Sequence, residues 1–160
     1  MIVELSGYSV IIDDEDYHYI KDYKYTVNES ILKLRGLYYF SRSLYCSGKR
    51  VTTSLHRDIM GCVNGDTIIV DHINGNTLDC RKQNLRLCNR TENNRNAKIR
   101  KDNTSGYKGV CFDKRTSSWR VRISVDRKYI HIGRYKNIED AYIAYCEASN
   151  KYHKEFGRIS

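Results

Sequence analysis

The sequence has 160 residues, a formal net charge of +9 and an isoelectric point near 9.3, so it can hold one ordinary domain or two small ones. Its basic balance favours a polyanionic partner, although charge alone is also compatible with a membrane surface. No apolar run approaches the roughly 20 residues of a membrane-spanning helix, and the residues after Met1 lack the pattern of a signal peptide. We therefore expect an intracellular protein of the host cytoplasm or nucleus, neither secreted nor inserted in a membrane.

The N-terminal third predicts short strands and turns that carry many tyrosines. The apolar runs at 31–34 and 37–40 predict a hairpin. Tyrosines can stack on nucleic-acid bases, but in a small sheet they are more often half-buried packing groups. Residues 1–66 hold eight basic and nine acidic residues, so we prefer the packing role here.

The most informative stretch of the chain joins an acid–histidine pair to several side-chain amides. Thr67–Val70 is a β-branched run that predicts a buried strand, and Asp71 and His72 follow it directly. Asn84–Leu87 alternates polar and apolar residues and predicts a second strand. Thr91 can cap a helix that begins at that point. We expect a strand–loop–strand–helix unit.

These residue types suit the hydrolysis of a phosphodiester bond. Mg²⁺ prefers carboxylate and amide oxygens, which Asp71 and a helix asparagine can supply. The imidazole of His72 can take a proton from attacking water, because its ordinary pKa lies near neutral pH. Nearby cations can position the phosphate. The alternative is a surface hairpin whose Asn and Gly residues only form turns.

At these residues the sequence resembles the HNH endonuclease family with its ββα-metal site. The resemblance implies that His72 is the general base and that Asp71 is an acidic metal ligand. It matches Asn84 to the central asparagine and Asn93 to the ligand on the helix, with the neighbouring Asn94 as the alternative. The implied cofactor is a divalent cation, Mg²⁺ or Mn²⁺.

His56 precedes this motif at the start of a short predicted helix, beside Arg57. Two roles stay open for it. It can touch the scissile phosphate or support the metal site, or it can be a structural histidine.

The cysteine spacing argues against a structural zinc site. The six cysteines include no CxxC pair, so the spacing of a zinc ribbon is absent and no zinc is expected. We interpret them as small buried or semi-buried thiols without disulfides, as a reducing compartment implies.

Positive charge begins where the motif begins. Residues 81–101 hold eight basic residues and one acidic residue, and residues 105–160 hold twelve and six. This distribution favours a surface that follows nucleic acid, and we assign Arg86 and Arg95 to it as DNA contacts.

From Ser105 the pattern predicts three strands, the first at 106–112, followed by a helix. Residues 119–125 alternate cleanly, so their apolar side chains face one side and their polar side chains the other. Asn137 can cap the helix, whose apolar stripe packs on the sheet. The polar side chains left on the open face are Arg120, Arg122, Ser124, Tyr129, His131 and Arg134.

This region resembles the APETALA/ethylene-response-factor DNA-binding domain. The matching stretches are SGYKGV at 105–110, the strand at 119–125, HIGRY at 131–135 and EDAYIAYCEAS at 139–149. Carried over position by position, the DNA-facing residues are Lys108, Arg122, Ser124, Tyr129, His131 and Arg134. Cys111 and Asp113 depart from the plant members, which have arginines there.

Together these patterns predict an α+β chain. A small β-rich N-terminal region leads into the ββα-metal motif, and a three-stranded antiparallel sheet packed on one helix follows. The predicted domains are a nuclease domain at 1–98 with its core at about 67–98, a linker at 99–104, and a DNA-binding domain at 105–160.

The combination resembles the HNH homing endonucleases of phages and viruses. It implies a site-selective enzyme on double-stranded DNA, acting as a monomer or a weak homodimer. One motif per chain is compatible with nicking by a monomer or double cutting by a dimer. The alternative is a non-catalytic, sequence-specific DNA-binding regulator that retains an HNH scaffold.

Overall fold

The computed structural model of the chain describes residues 1–46, 48–63 and 65–159. Its contacts divide the chain into two compact units, residues 1–89 and 90–160. This division precedes the predicted end of the nuclease domain at residue 98. The compact units are defined by contacts within the chain, whereas the predicted domains are defined by their proposed functions. The predicted domain boundaries therefore stay predictions.

The first unit combines small antiparallel sheets with short helices. The strands are β1 (Ile2–Leu5), β2 (Tyr8–Ile11), β3 (Thr26–Val27), β4 (Phe40–Cys46), β5 (Lys49–Ser54), β6 (Ile69–His72) and β7 (Leu85–Cys88). The helices are α1 (Tyr17–Asp22), α2 (Glu29–Arg35) and α3 (Leu55–Ile59), and 3₁₀ turns lie at Asp14–Asp16 and Lys82–Asn84. β1 pairs with β2, β3–β4–β5 form a sheet, and β6 pairs with β7.

One apolar core supports the strand pair β6–β7. Val10 and Ile12 are fully buried, and Leu55 of α3 and Val70 of β6 pack in the same cluster. The amide of Ile11 donates to the carbonyl of residue 78, and its own carbonyl accepts from the amide of residue 80 at 2.8 Å. The loop after β6 is therefore fastened to β2.

The predicted hairpin at 31–40 is wrong, because residues 29–35 form the helix α2. The side chain of Asn28 caps its start by accepting from the amide of Ile31 at 3.2 Å. Gly36 ends it in the left-handed conformation at φ 65°, as a helix C-terminus commonly requires. These end signals outweigh the apolar run between them.

The second unit holds the predicted three-stranded sheet packed on one helix. Its elements are α4 (Arg90–Arg95), β8 (Val110–Asp113), β9 (Ser118–Val125), β10 (Lys128–Tyr135), α5 (Ile138–Tyr152) and a 3₁₀ turn at Lys154–Phe156. The strand order is β10–β9–β8, and all pairs are antiparallel. Between His131 and Gly133 the register shifts in a β-bulge.

The core of the second unit lies between this sheet and α5. Val121 and Ile123 of β9 pack against Ala141 and Tyr145 of the helix. Gly109 approaches the helix closely at φ 73°, and a Cβ at this position would lie 2.2 Å from the ring of Tyr145. Only glycine fits there, which fixes how the chain enters β8.

Three smaller expectations are corrected. Helix α4 begins at Arg90, so Thr91 lies inside it and is not its cap. The first strand of the sheet begins at Val110, after the turns at residues 106–109. Cys111 is exposed, unlike the buried or semi-buried thiol that was predicted, and the side chain of Cys46 lies outside the described part of the chain.

Candidate active site and DNA-binding face

Asp71 and His72 are the last two residues of β6, and both are buried. Asp71 lies opposite Arg86 of β7, and His72 lies opposite Leu85. Their exposed fractions are 7% and 4%. Two polar groups at the end of an apolar strand are therefore held by protein and largely shielded from water.

The carboxylate of Asp71 is oriented by the guanidinium of Arg86. The Nε and Nη2 atoms of Arg86 donate to Oδ2 of Asp71 at 3.0 and 2.8 Å. Charge-assisted pairs of this kind are stronger than neutral hydrogen bonds. Arg86, which was predicted as a DNA contact, is thus a hydrogen-bond donor to the carboxylate of Asp71.

The imidazole of His72 is held in its neutral form. Burial lowers the pKa of His72 from its ordinary value to about 4, against the opposing effect of the carboxylates of Asp71 and Asp79. Its Nε2 atom lies 4.0 Å from the Sγ atom of Cys80. At neutral pH the ring therefore carries no charge.

Two further rings, those of Tyr39 and His56, lie close to the ring of His72. The ring centroid of His56 lies 5.1 Å from that of His72 and 5.2 Å from that of Tyr39, and Tyr39 and His72 are 6.1 Å apart. Burial lowers the pKa of His56 to about 3. Burial raises the pKa of Tyr39, and the negative charge of Asp71 raises it further. Sequence reasoning left the role of His56 open and missed Tyr39, because eight tyrosines of the N-terminal third gave no reason to single one out.

Helix α3, which carries His56, is anchored by the two residues that follow. Asp58 accepts hydrogen bonds from Tyr25 Oη, from Arg42 Nε at 2.7 Å and from Thr53 Oγ1 at 3.0 Å. Arg57 donates through Nη1 to the carbonyl of residue 68, directly before β6, at 2.6 Å. His56 and His72 therefore belong to mutually tied elements.

Asn84 holds the loop between β6 and β7. Its Oδ1 accepts from the amide of Asn74 at 3.0 Å, and its Nδ2 donates to the carbonyl of Asp79 at 2.7 Å. Asp79 is in turn paired with Arg81, whose Nε and Nη2 donate to its two oxygens at 2.8 Å each. Asn84, predicted among the catalytic residues, is placed here as a clamp on the loop that follows His72.

Asn93 and Asn94, the candidates for the helix ligand, lie on α4 in the second unit. Asn93 is half-buried and Asn94 is exposed. The metal role of Asn93 stays a prediction.

The donor set fits a hard divalent cation. Asp71 offers a fixed carboxylate, and asparagine offers an amide oxygen, which are the ligand types that Mg²⁺ and Mn²⁺ accept. Within the described residues no cluster of three or more His, Cys, Asp or Glu side chains could hold a metal ion.

The open face of the second unit's sheet carries exposed polar side chains. Arg122 lies opposite His131, and Ser124 lies opposite Tyr129, all four exposed. The guanidinium carbon of Arg122 lies 4.6 Å from the centroid of the Tyr129 ring, a cation–π distance. These four side chains form one surface, as predicted from the alternation.

The remaining two predicted residues of this face are differently placed. Arg134 is exposed and donates through Nη1 to Asp113 at 2.6 Å and to Thr116 at 2.7 Å. This arginine lowers the pKa of the Asp113 carboxyl. Arg120 is half-buried, and its Nε has no hydrogen-bond partner among the described residues.

Lys108 and Arg95 are engaged within the second unit. The Nζ atom of Lys108 donates to the carbonyls of Arg95 and Ala97 at 2.7 and 2.8 Å, at the end of α4. Burial, with a smaller effect of Arg158, lowers the pKa of Lys108 to about 8. The guanidinium of Arg95 lies 3.4 Å from Asp126. Their predicted DNA contacts stay predictions.

The first unit carries a buried acid–histidine pair at the end of a strand. The second unit carries a three-stranded sheet with exposed arginines. These two features are those of a DNA-acting protein with a separate DNA-binding domain. The comparisons agree: an HNH endonuclease model matches residues 55–95, and an AP2 domain model matches residues 105–155. The chain belongs to the HNH endonuclease family, with an AP2 DNA-binding domain behind its HNH domain.

A curated relative and the solved structures complete the comparison. Protein 3.8 of Escherichia phage T7 is 34% identical over 90 residues, which is 56% of this chain and 74% of the phage protein. None of the solved structures gives a significant match. No helix in the described part of the chain is long and apolar enough to cross a membrane.

Proposed function

We propose that the protein is a metal-dependent, homing-type DNA endonuclease whose target is selected by its C-terminal sheet. The observation that carries this proposal is the Asp71–His72 pair, fixed at the end of β6 inside the segment that matches the HNH endonuclease family. The phage origin of the relative supports a phage or virus source for this chain as well.

His72 accepts the proton of the water that attacks the phosphorus. Burial keeps the ring neutral, as a base must be before it accepts a proton, and the carboxylates of Asp71 and Asp79 oppose burial by raising its pKa. Asn84 would support this step by fixing the loop after His72 through both ends of its side-chain amide.

Asp71 would bind the divalent cation, and Asn93 stays the ligand on the helix that the family resemblance implies. When bound, Mg²⁺ or Mn²⁺ supplies stabilisation of the negative charge that develops on the phosphate oxygens. Arg86 keeps the Asp71 carboxylate in one orientation. No structural zinc enters the proposal, since oxygen ligands suit harder cations.

The sheet of the second unit selects the site. A strand pair can enter the major groove, where an arginine can bind the O6 and N7 atoms of guanine. Arg122, Ser124, Tyr129 and His131 are exposed on one surface and suit this task. The arginines of residues 81–101 would contact the phosphate backbone, which positions a protein without reading bases.

The second candidate is a DNA-binding regulator that does not cut. It is favoured by the burial of His72 at 4% exposure, because a base must reach water and substrate to act. It is disfavoured by the presence of Asp71, His72, Asn84 and Asn93 together.

Cleavage of a plasmid separates the two candidates. The full chain is incubated with supercoiled plasmid and Mg²⁺ or Mn²⁺, with and without EDTA, beside the H72A variant. A nuclease gives nicked or linear product that EDTA and H72A both abolish. A regulator binds DNA in a gel-shift assay and gives the same background with and without EDTA.

The expected assembly is a monomer or a weak homodimer inside a host cell. A nicked product with one monomer bound per site, measured by analytical ultracentrifugation, would indicate single-strand cleavage. A linear product with a dimer bound would indicate that two chains each cut one strand.

A further inference from the structure

The rings of Tyr39 and His56 form a wall beside His72 that no sequence motif assigns to the reaction. The three centroids make a triangle with sides of 5.1, 5.2 and 6.1 Å. These are separations at which aromatic rings attract each other. The Sγ atom of Cys80, 4.0 Å from Nε2, gives the His72 ring a third neighbour.

We propose that His56, together with Tyr39, is a positioning residue that fixes the orientation of the His72 ring. This role rests on the proposed nuclease function and deepens it. An imidazole has two side-chain torsions, and ring contacts on one side restrict the second of them. The wall therefore decides which way the nitrogen atoms of His72 point.

The wall is itself rigidly mounted, which positioning requires. Asp58 binds Arg42 and Thr53 of the β4–β5 pair, and Arg57 binds the carbonyl directly before β6. His56 is 8% exposed, so protein encloses most of its ring. A side chain whose helix is anchored through the next two residues can hold its neighbour in a fixed geometry.

Packing, not proton transfer, is the property that the wall supplies. Burial keeps the His56 ring neutral, and an uncharged ring can orient His72 without competing for its proton. A phenylalanine at position 56 keeps the ring and removes the nitrogen atoms. An alanine removes both, so the pair H56F and H56A isolates the packing.

The test measures single-turnover cleavage and DNA affinity for wild type, H56F, H56A and Tyr39→Leu. We expect H56F to stay within a few fold of wild type, and H56A and Y39L to lose about 10- to 100-fold in the cleavage rate, because a displacement near 1 Å has that cost. DNA affinity and the pH profile of H56F should be unchanged. His18, an exposed histidine that contacts Tyr19, provides the matched control H18A, which should cut like wild type.

A second readout does not depend on cleavage. In ¹³C-resolved NMR spectra the imidazole signal of His72, assigned by its loss in H72A, should stay sharp in H56F and should shift and broaden in H56A and Y39L. If the wild-type chain does not cut DNA but these signals change as described, the proposed nuclease function is wrong, whereas the proposed positioning of the His72 ring by His56 and Tyr39 is supported.

Several results would overturn the proposal. One is wild-type cleavage by both H56A and Y39L with an unchanged His72 signal. Another is an H56F variant as inactive as H56A with an altered pH profile, which would assign a chemical role to the His56 nitrogen atoms. Should H56A not fold, Y39L and H56F decide the matter, since Tyr39 is only half-buried.

Discussion

The two groups of predicted functional residues differ in how much of them is exposed to solvent. On β6 the working residues are hidden, with Asp71 and His72 at 7% and 4% exposure and each held by neighbours. On the sheet of β9 and β10 they are open, and Tyr129 is 69% exposed. Chemistry benefits from groups that are held still and dry, whereas recognition needs groups that can reach a base edge.

The largest expected effect separates these two tasks completely. H72A should lower the cleavage rate by about 10²- to 10⁴-fold, the usual contribution of a general base, and should leave DNA affinity unchanged. Single-turnover cleavage and gel-shift titration on one target duplex measure the two quantities. Near-normal cleavage by H72A would remove His72 from the role of base, and H18A serves as the control.

Acid should destabilise the unit that contains the buried site. The pKa of His56 falls from its ordinary value of 6.5 to about 3 on folding, so below pH 6.5 the unfolded chain binds a proton that the folded chain refuses. The stabilisation is complete above pH 6.5 and is lost as pH falls towards 3, at about 1.4 kcal/mol per pH unit. Urea unfolding from pH 7 to pH 4 should show this slope in wild type and in the exposed-face variant H131A.

The H56F variant should lose the part of the slope that His56 contributes, because phenylalanine binds no proton, and should keep the part that the lowered pKa of His72 contributes. Equal slopes in wild type and H56F would mean that His56 titrates normally in the folded protein.

Removing the loop clamp should reduce stability and cleavage together. N84A leaves the amide of Asn74 and the carbonyl of Asp79 without their side-chain partner, at about 1 to 3 kcal/mol of unfolding free energy. N84D is the matched variant, since it keeps the acceptor for Asn74 and loses the donor to Asp79. Chemical denaturation checks the free energy, and an unchanged midpoint in N84A would show that the loop is held by other contacts.

On the open face, a single arginine should change selectivity without changing chemistry. R122A should weaken binding to the target by about 1 to 3 kcal/mol and relax the preference at one base pair. The cleavage rate at saturating DNA should stay constant. Competition binding with target and scrambled duplexes measures the effect, and R115A, an exposed arginine in the turn after β8, is the control. A uniform loss on both duplexes would make Arg122 a phosphate contact instead.

The smallest expected effect concerns where the second unit begins. A fragment of residues 90–160 should be more stable than one of residues 105–160 by about 1 to 2 kcal/mol, because the shorter fragment lacks the carbonyls that Lys108 binds. Lys108→Met in the longer fragment should remove most of that difference. Equal thermal midpoints for the two fragments would favour a domain that begins at residue 105, as the sequence predicts, over a unit that begins at residue 90.

The open face was the part most directly predictable from sequence. A strand of alternating residues has only two faces, so Val121 and Ile123 place Arg122 and Ser124 without any long-range information. The Asp71–His72 pair was found through its family resemblance and its place after a β-branched run. Both predictions depend on residues close together in the chain.

The parts that could not be predicted depend on distant contacts. Tyr39, His56 and His72 meet only because three separate elements pack together, and no local pattern records that meeting. The partner of Asp71 is Arg86, which sequence reasoning assigned to DNA. The helix at 29–35 was missed because its capping residues, Asn28 and Gly36, were given less weight than the apolar run between them.

The cysteines of this protein differ from one another in the reactivity of their thiols. Burial raises the pKa of the Cys80 thiol to about 12 and also raises that of Cys62, so neither forms much thiolate at neutral pH. Among the cysteines whose side chains are described, Cys111 is the exposed one, on β8 beside Arg120. A maleimide dye should therefore attach there in preference to Cys62 and Cys80, and its fluorescence would report directly on the approach of DNA to the sheet.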